Sequence, residues 1–233
     1  MRFNSGLISC LLLASAVLAG SYQSQQLNLL KRSPQIQDNS ELAGASIDSG
    51  GIGTFNTITG IFVAPILSGD RDSAVVVWMS IDSDDNSNGC SSHVVASLIS
   101  TVTSDGTQHQ ASMRWFPHPW VDFPLNMVSG DRVQVTFNSS DLLRGQSVTK
   151  EFRTNDSLCG RYADWMVGRV AANGGVPLAN FSRLTIQSTS AGAQGAHSYG
   201  PAAATTLFQM PTDHGVVKPI TDSDSISIDA SGM

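Results

Sequence analysis

Short apolar segments separated by polar turns run through the middle of the chain. The segments are rich in Val, Ile, Thr and aromatic residues, and the turns are clusters of Gly, Asn, Asp and Ser. This pattern is typical of β-strands, and strands at this spacing are typical of a sandwich or a barrel. The predicted strands are residues 54–65, 73–81, 94–103, 131–137, 146–152, 163–170 and 181–187.

Two kinds of strand are distinguished by their periodicity. Residues 132–137 alternate strictly between polar and apolar, which predicts a strand with one face on the core. Residues 74–78 are apolar at every position, so this strand should be covered on both faces. Isoleucines alternating with Ser and Asp across residues 220–228 predict a last strand. The all-β domain is therefore expected to span residues 54–229.

The N-terminal residues have the pattern of a secreted protein. Residues 1–19 combine a basic start, an apolar stretch and small residues at the end, which predicts a signal peptide rather than a buried N-terminal helix. Residues 20–32 end at Lys31-Arg32, which is either a propeptide cleavage site or a solvated charge pair. Residues 33–53 contain few large apolar side chains and are predicted to be a flexible, solvated lead-in.

Charge and size limit the choice of partners. The chain has 233 residues, of which 41% are hydrophobic and 14% charged, enough for one sizeable core. Its formal charge is −6; removing residues 1–32 removes three basic and no acidic residues, leaving 10 basic and 19 acidic, formally −9. This balance argues against nucleic acid and membrane partners. A monomeric, extracellular protein is expected.

Cysteines and glycosylation sequons agree with secretion. Cys10 lies in the predicted signal peptide, which leaves Cys90 and Cys159 to form one disulfide in an oxidising compartment. The loop that they close would stabilise the fold by roughly 4 kcal/mol. Three Asn-x-Ser sequons predict surface glycosylation. They begin at Asn138, Asn155 and Asn180.

The common catalytic and metal-binding signatures are absent. The sequence has no Gly-x-Ser-x-Gly, His-Glu-x-x-His, Cys-x-x-Cys or phosphate-binding glycine loop, and its five histidines are scattered. Residues 82–89 are rich in Asp and Asn but lack the glutamate that closes a calcium loop, so a solvated loop is expected. No metal and no cofactor are predicted.

Five stretches, taken in order, carry a family resemblance. They are residues 55–65, 77–82, 115–117 with 122–123, 145–149 with 158–159 and 163–167, and 177–181. Val77-Trp78-Met79-Ser80-Ile81-Asp82 and Ala163-Asp164-Trp165-Met166-Val167 are the clearest matches. Together they resemble the fungal glutamic peptidases, the eqolisins. The resemblance implies a sandwich of two antiparallel sheets, concanavalin- or jelly-roll-like, with a substrate cleft on the concave face.

The resemblance also shows what this chain lacks. In that family a Glu acts as general base on the attacking water, and a Gln amide stabilises the oxyanion. The family's spacing places the Gln six residues after the first cysteine and the Glu nine after the second, which here are Ala96 and Gly168. The chain has only two glutamates, Glu41 and Glu151, and no Gln between residues 79 and 107. Neither catalytic role is therefore filled at the predicted positions.

Six residues are candidates for lining the cleft. Arg114 replaces an acid of the family, and Asp164 should lie ~13 Å along the strand from Gly168, too far to replace a Glu there. The alternative for Trp78 is core packing. The candidates are Trp78, Asp82, Arg114, Trp115, Asp164 and Trp165.

Three functions remain open from the sequence. The first is a proteolytically inactive family member that binds a peptide, a protein or a glycan. The second is an active acid endopeptidase with a rearranged site such as Asp82, Asp164 and His93. The third, a lectin-like carbohydrate binder, follows from the sandwich shape alone.

Overall fold

β-strands form nearly all of the regular structure in the computed structural model, which describes residues 33–50, 53–83, 92–138, 158–170, 176–193 and 197–230. One short 3-10 helix, Pro201–Ala203, lies between β11 and β12. The strands are β1 Gln35–Asp38, β2 Leu42–Asp48, β3 Phe55–Val63, β4 Ala74–Ile81, β5 His93–Thr103, β6 Gly106–Phe116, β7 Val121–Phe123, β8 Arg132–Asn138, β9 Tyr162–Gly168, β10 Arg183–Ala193, β11 His197–Tyr199, β12 Thr206–Thr212, β13 Gly215–Thr221 and β14 Ser225–Asp229.

The strands follow one continuous, mostly antiparallel path that folds back on itself. One layer, here called the site sheet, has the order β7-β6-β5-β4-β9-β2-β12, and the path continues as β13-β14-β10-β3-β8. The β1 strand pairs with β12 in parallel, and β11 pairs with β10. The β3 strand lies against β4 and β9 of the site sheet, which makes two layers. The predicted all-β sandwich is confirmed.

The core lies between the two layers. Met79 and Trp165 point from the site sheet toward β3: a Cβ on Gly60 would come within 2.6 Å of Met79 Cε, and Trp165 Nε1 donates a 3.0 Å hydrogen bond to the Thr59 carbonyl oxygen. Met79 and Trp165 are both completely buried, as is Ile186 on β10. Large apolar side chains from both layers therefore fill the interior.

Six of the seven strands predicted from the pattern coincide with observed strands. The alternation at 132–137 is confirmed, since its apolar positions are the less exposed ones on β8. The strand β4, which contains the all-apolar run at residues 74–78, is buried at every position except Trp78, which is half-buried. The single last strand predicted across residues 220–228 is observed as two, the end of β13 and the strand β14, and residues 34–233 form one compact unit. The predicted strand at 146–152 and the N-terminal residues 1–32 lie outside the described residues.

The prediction of a solvated lead-in at residues 33–53 is wrong for residues 35–48. This segment contains β1 and β2, and β2 is a buried strand between β9 and β12. Its small side chains allow this burial: a Cβ on Gly44 would overlap with the Trp165 carbonyl oxygen and lie 2.5 Å from Met166 Sδ. The backbone of β2 therefore packs closely against β9, and Ile47 is its one large side chain that is completely buried.

The structure locates two of the three predicted glycosylation sequons and allows a search for membrane-spanning helices. Asn180 is exposed, Asn138 is the last residue of β8, and Asn155 lies outside the described residues. In the parts of the chain that the structure describes, no helix has the length and apolarity to cross a membrane.

Candidate functional site

One face of the site sheet points away from the core and carries Trp78. Residues directly opposite each other on paired strands share a face. Trp78 pairs with Ser97 on β5 and Met166 on β9, and Ser97 pairs with Ser112 on β6. These four side chains form a row across the face, here called the Trp78 face. Within the row, Ser97 Oγ and Ser112 Oγ are 3.1 Å apart and hydrogen-bonded.

The two positions predicted for the catalytic dyad lie on opposite faces. Gly168 pairs with Val76 and therefore lies on the Trp78 face. Ala96 pairs with Met79 and therefore lies on the core side. The prediction that Ala96 and Gly168 belong to one site is corrected by this register. Ser97, one residue further along β5, is the side chain that shares a face with Gly168.

Position 168 has no room for a side chain. A Cβ on Gly168 would overlap with the carbonyl oxygen of Glu41 and lie 3.1 Å from Leu42 Cα. Both obstructing atoms are backbone, held in place because Leu42 pairs with Gly168 and the Arg169 N–H donates a 2.8 Å hydrogen bond to the Glu41 carbonyl. The start of β2 thus occupies the space that a glutamate would need.

Two of the predicted cleft tryptophans belong to the core, which corrects those assignments. Trp165 is completely buried beneath β3, as described above. Trp115 is 8% exposed, pairs with Val94 on the core side, and donates a 2.8 Å hydrogen bond from Nε1 to Ser92 Oγ. Each of these tryptophans is adjacent in sequence to a residue whose side chain points to the Trp78 face. Because side chains alternate along a strand, the tryptophan side chains point to the core.

Asp82 is a buried clamp rather than a cleft residue. Its carboxylate is 3% exposed and accepts hydrogen bonds from three successive backbone N–H groups, at 2.6 Å from Gly160, 2.7 Å from Arg161 and 3.1 Å from Tyr162. Asp82 itself has φ of +64°, a conformation that Asp tolerates better than most residues. These bonds tie the end of β4 to the segment entering β9.

The structure describes one of the two cysteines of the predicted disulfide. Cys159, next to the residues bound by Asp82, is disulfide-bonded. Cys90 lies outside the described residues, as does most of the acidic run at 82–89.

Asp164 lies on the Trp78 face but is covered. It pairs with Ser80, is completely buried, and accepts hydrogen bonds at Oδ2 from Ser80 Oγ at 3.0 Å and Ser83 Oγ at 2.9 Å. The rearranged set of Asp82, Asp164 and His93 therefore offers no exposed carboxylate to act as a base.

Arg114 is the predicted cleft residue with the clearest role on this face. It pairs with Val95, which pairs with Ser80, so it lies on the Trp78 face. Its Nε donates a 3.0 Å hydrogen bond to the His118 carbonyl, and its Cζ lies 4.9 Å from the Phe116 ring centroid and 6.0 Å from that of Trp120. Sequence reasoning missed Trp120, which is 48% exposed.

His93 is coupled to this arginine. It stacks on Phe116 at 4.8 Å between ring centroids. Burial lowers the pKa of His93, the Arg114 guanidinium lowers it further, and Asp82 opposes these effects.

Replacing Arg114 with alanine is therefore expected to raise the pKa of His93. The neighbouring positive charge disfavours the imidazolium, and its removal relieves that repulsion. An NMR titration of the His93 ring measures the shift, with Arg132→Ala on exposed β8 as the matched control. A pKa that stays constant or falls in the Arg114 variant contradicts the coupling.

No metal centre is apparent among the described residues: no three His, Cys, Asp or Glu side chains come together in a group suited to an ion.

The fold and this face define a class of protein. The model of the Peptidase A4 family matches residues 40–229, so the chain belongs to that family, the glutamic peptidases or eqolisins. No curated protein sequence matches the chain.

Solved structures share the fold. The chain is similar to scytalido-glutamic peptidase crystallised with a peptide based transition state analog, with a TM-score of 0.66 and 22% identity over 82% of this chain and 98% of that one. A second structure of the same peptidase, with a transition state analog inhibitor, gives a TM-score of 0.63 and 23% identity over the same shares. Aspergilloglutamic peptidase from Aspergillus niger gives 0.50 and 17% identity, covering 67% of this chain and 98% of that chain.

Proposed function

We propose that this chain is a secreted, non-proteolytic member of the glutamic peptidase family whose Trp78 face binds an extended peptide. The observation that carries the proposal is the row at Trp78, where the β5, β6 and β9 side chains are two hydroxyls and a thioether. Cleaving a peptide bond by this family's chemistry needs a base and an oxyanion donor close together. This row supplies neither a carboxylate nor an amide.

The Trp78 face carries an amide, Gln110, and a carboxylate, Asp122, but neither lies next to Trp78. Gln110 pairs with Ile99, which pairs with Val76, and Asp122 pairs with Ser112; both are exposed. Gln110 lies two strands and Asp122 three strands from β4, about 10 Å and 14 Å at the usual strand spacing. Gln110 therefore lies beside the row and Asp122 continues it beyond Ser112, both on the side of β4 away from Gly168 on β9.

What remains on the face suits binding. Trp78 offers a half-buried aromatic surface on which a ligand can stack. The Ser97 and Ser112 hydroxyls beside it are 8% and 6% exposed and bonded to each other, so they form the floor beneath a ligand. Scytalido-glutamic peptidase was solved with a peptide based analog. The proposal keeps a peptide as the ligand of this chain and removes the cleavage step.

A synthetic library of N-acetylated, C-amidated octapeptides tests binding by calorimetry and cleavage by mass spectrometry. Binding without cleavage is expected, and Trp78→Ala should weaken it at least tenfold, because stacking and burial on the indole are lost. Val216→Ala on β13, whose side chain is 40% exposed on the other layer, is the control. Unchanged affinity of the Trp78 variant contradicts the proposal. Binding of glycans but of no peptide would favour the lectin-like alternative instead.

A further inference from the structure

We infer that Arg114 is an anchor for a carboxylate of the bound peptide, so that the Trp78 face selects acidic or C-terminal peptide segments. The inference rests on the proposed function and specifies its ligand. The carboxylate has two sources, an Asp or Glu side chain and a free C-terminus, and the two share the chemistry that Arg114 would recognise.

Arg114 is held in position by three contacts. The Nε bond to the His118 carbonyl fixes the inner edge of the guanidinium, while Phe116 and Trp120 flank the charged group. An arginine fixed in this way loses less side-chain entropy when a ligand binds. The face on which it lies also carries Trp78, so one peptide can contact both.

The terminal nitrogens of this guanidinium have no hydrogen-bond partner among the described residues. Within the described parts of the chain, Arg114 forms no ion pair, and only its Nε takes part in a hydrogen bond. Two parallel N–H groups at the outer edge match the two oxygens of a carboxylate, which arginine binds in a bidentate manner. A carboxylate there would be the ion partner that the described residues do not supply.

Arg114 itself is the positive charge that would attract an anion at this place, and the acidic residues near it do not form an ion pair with it among the described residues. The whole chain has a formal net charge of −6 and therefore repels acidic ligands in general. Arg114 is a local positive charge on a face of this acidic protein. The titratable neighbours are His93 on β5, His118 on the following turn, Asp122 on β7 and Asp82 at the end of β4. Asp82 is engaged by three backbone N–H groups, and Asp122, which pairs with Ser112 and is a diagonal neighbour of Arg114, forms no ion pair with Arg114.

The test uses the tightest peptide from the octapeptide library, remade in four forms. One form contains a single Glu, one the isosteric Gln, one a free C-terminal carboxylate without acidic side chains, and one the matching C-terminal amide. The native protein should bind at least one carboxylate form about tenfold more tightly than its amide counterpart, the size expected of a partly exposed charge-assisted pair. Which form gains identifies the source of the carboxylate.

Arg114→Gln should abolish this discrimination, so that each carboxylate form binds the variant no more tightly than its amide counterpart. Arg114→Lys should retain part of it, because a point charge replaces the bidentate fork. Arg132→Gln, which removes an exposed arginine on the other layer, should leave the discrimination intact.

Three outcomes separate the two proposals. Equal binding of all four forms by the native protein overturns the anchor but leaves peptide binding standing. Discrimination that persists in Arg114→Gln also overturns the anchor. Failure of the native protein to bind any octapeptide overturns both.

Discussion

Replacing Gly168 with glutamate is expected to lower the free energy of unfolding by more than about 3 kcal/mol and to create no peptidase activity. Added atoms at this position meet the backbone of Glu41 and Leu42, which cannot rotate away as a side chain would. Adding a methylene or methyl group to a well-packed core typically costs about 1–3 kcal/mol, and a glutamate side chain adds more atoms than that. Combination with Ala96→Gln or Ser97→Gln should not rescue activity, since the glutamate would displace β2.

Chemical denaturation measures the loss of stability. Gly106→Ala is the control, because a Cβ at that hairpin glycine meets no atom within 4 Å and its φ of +119° leaves backbone strain as the only cost. It should lose about 1–3 kcal/mol, less than the Gly168 variant. A Gly168→Glu variant as stable as the Gly106 variant would show that the space beside β2 is open.

Asp82→Asn is expected to destabilise the fold by about 3 kcal/mol. Asparagine keeps the size of the side chain and tolerates the positive φ of position 82. However, it removes the charge that accepts three backbone hydrogen bonds, each of a kind worth about 1.5–3 kcal/mol, and turns an NH2 group toward at least one of the donors.

Asp105→Asn, at the exposed turn between β5 and β6, is the matched control and should change stability by less than about 0.5 kcal/mol. If both aspartate variants unfold at the same denaturant concentration, Asp82 is not the clamp between β4 and the segment entering β9.

Strands whose periodicity comes from large side chains could be predicted from the sequence. The β4, β5 and β8 strands were found because Val, Ile and Phe carry the signal. The β2 strand was not, because its buried residues include Ala43, Gly44, Ala45 and Ser46, whose burial depends on close packing against β9 rather than on hydrophobicity. The β6 strand was also missed, because its exposed face carries Gln108 and Gln110.

The site was harder to predict because it depends on register. A count from Cys90 leads to Ala96, but the count passes through residues 84–91 and carries no information on which face of β5 the side chain takes. A difference of one residue exchanges the core face for the Trp78 face, and Ser97 for Ala96. Trp115 and Trp165 were assigned to the cleft for the same reason, as neighbours in sequence of residues that face it.

Alternation from Trp78 was the signal that could have found the correct residues. Once Trp78 is taken as facing outward, every second residue on β4 faces the same way, and only the pairing of β4 with β5 and β9 is needed to name Ser97 and Met166. That pairing is a tertiary property, set by how the two layers pack, and no local pattern in the sequence contains it.

Incubation of the purified protein with a denatured protein substrate between about pH 2 and pH 7, followed by mass spectrometry of the fragments, tests the absence of proteolysis most directly. Scytalido-glutamic peptidase is the positive control. The protein is expected to release no fragments at any pH, because among the described residues no exposed carboxylate or side-chain amide pairs across the strands with Trp78 or Gly168. Specific cleavage that disappears in Asp122→Asn or Gln110→Ala would contradict this and show a working site on β6 and β7.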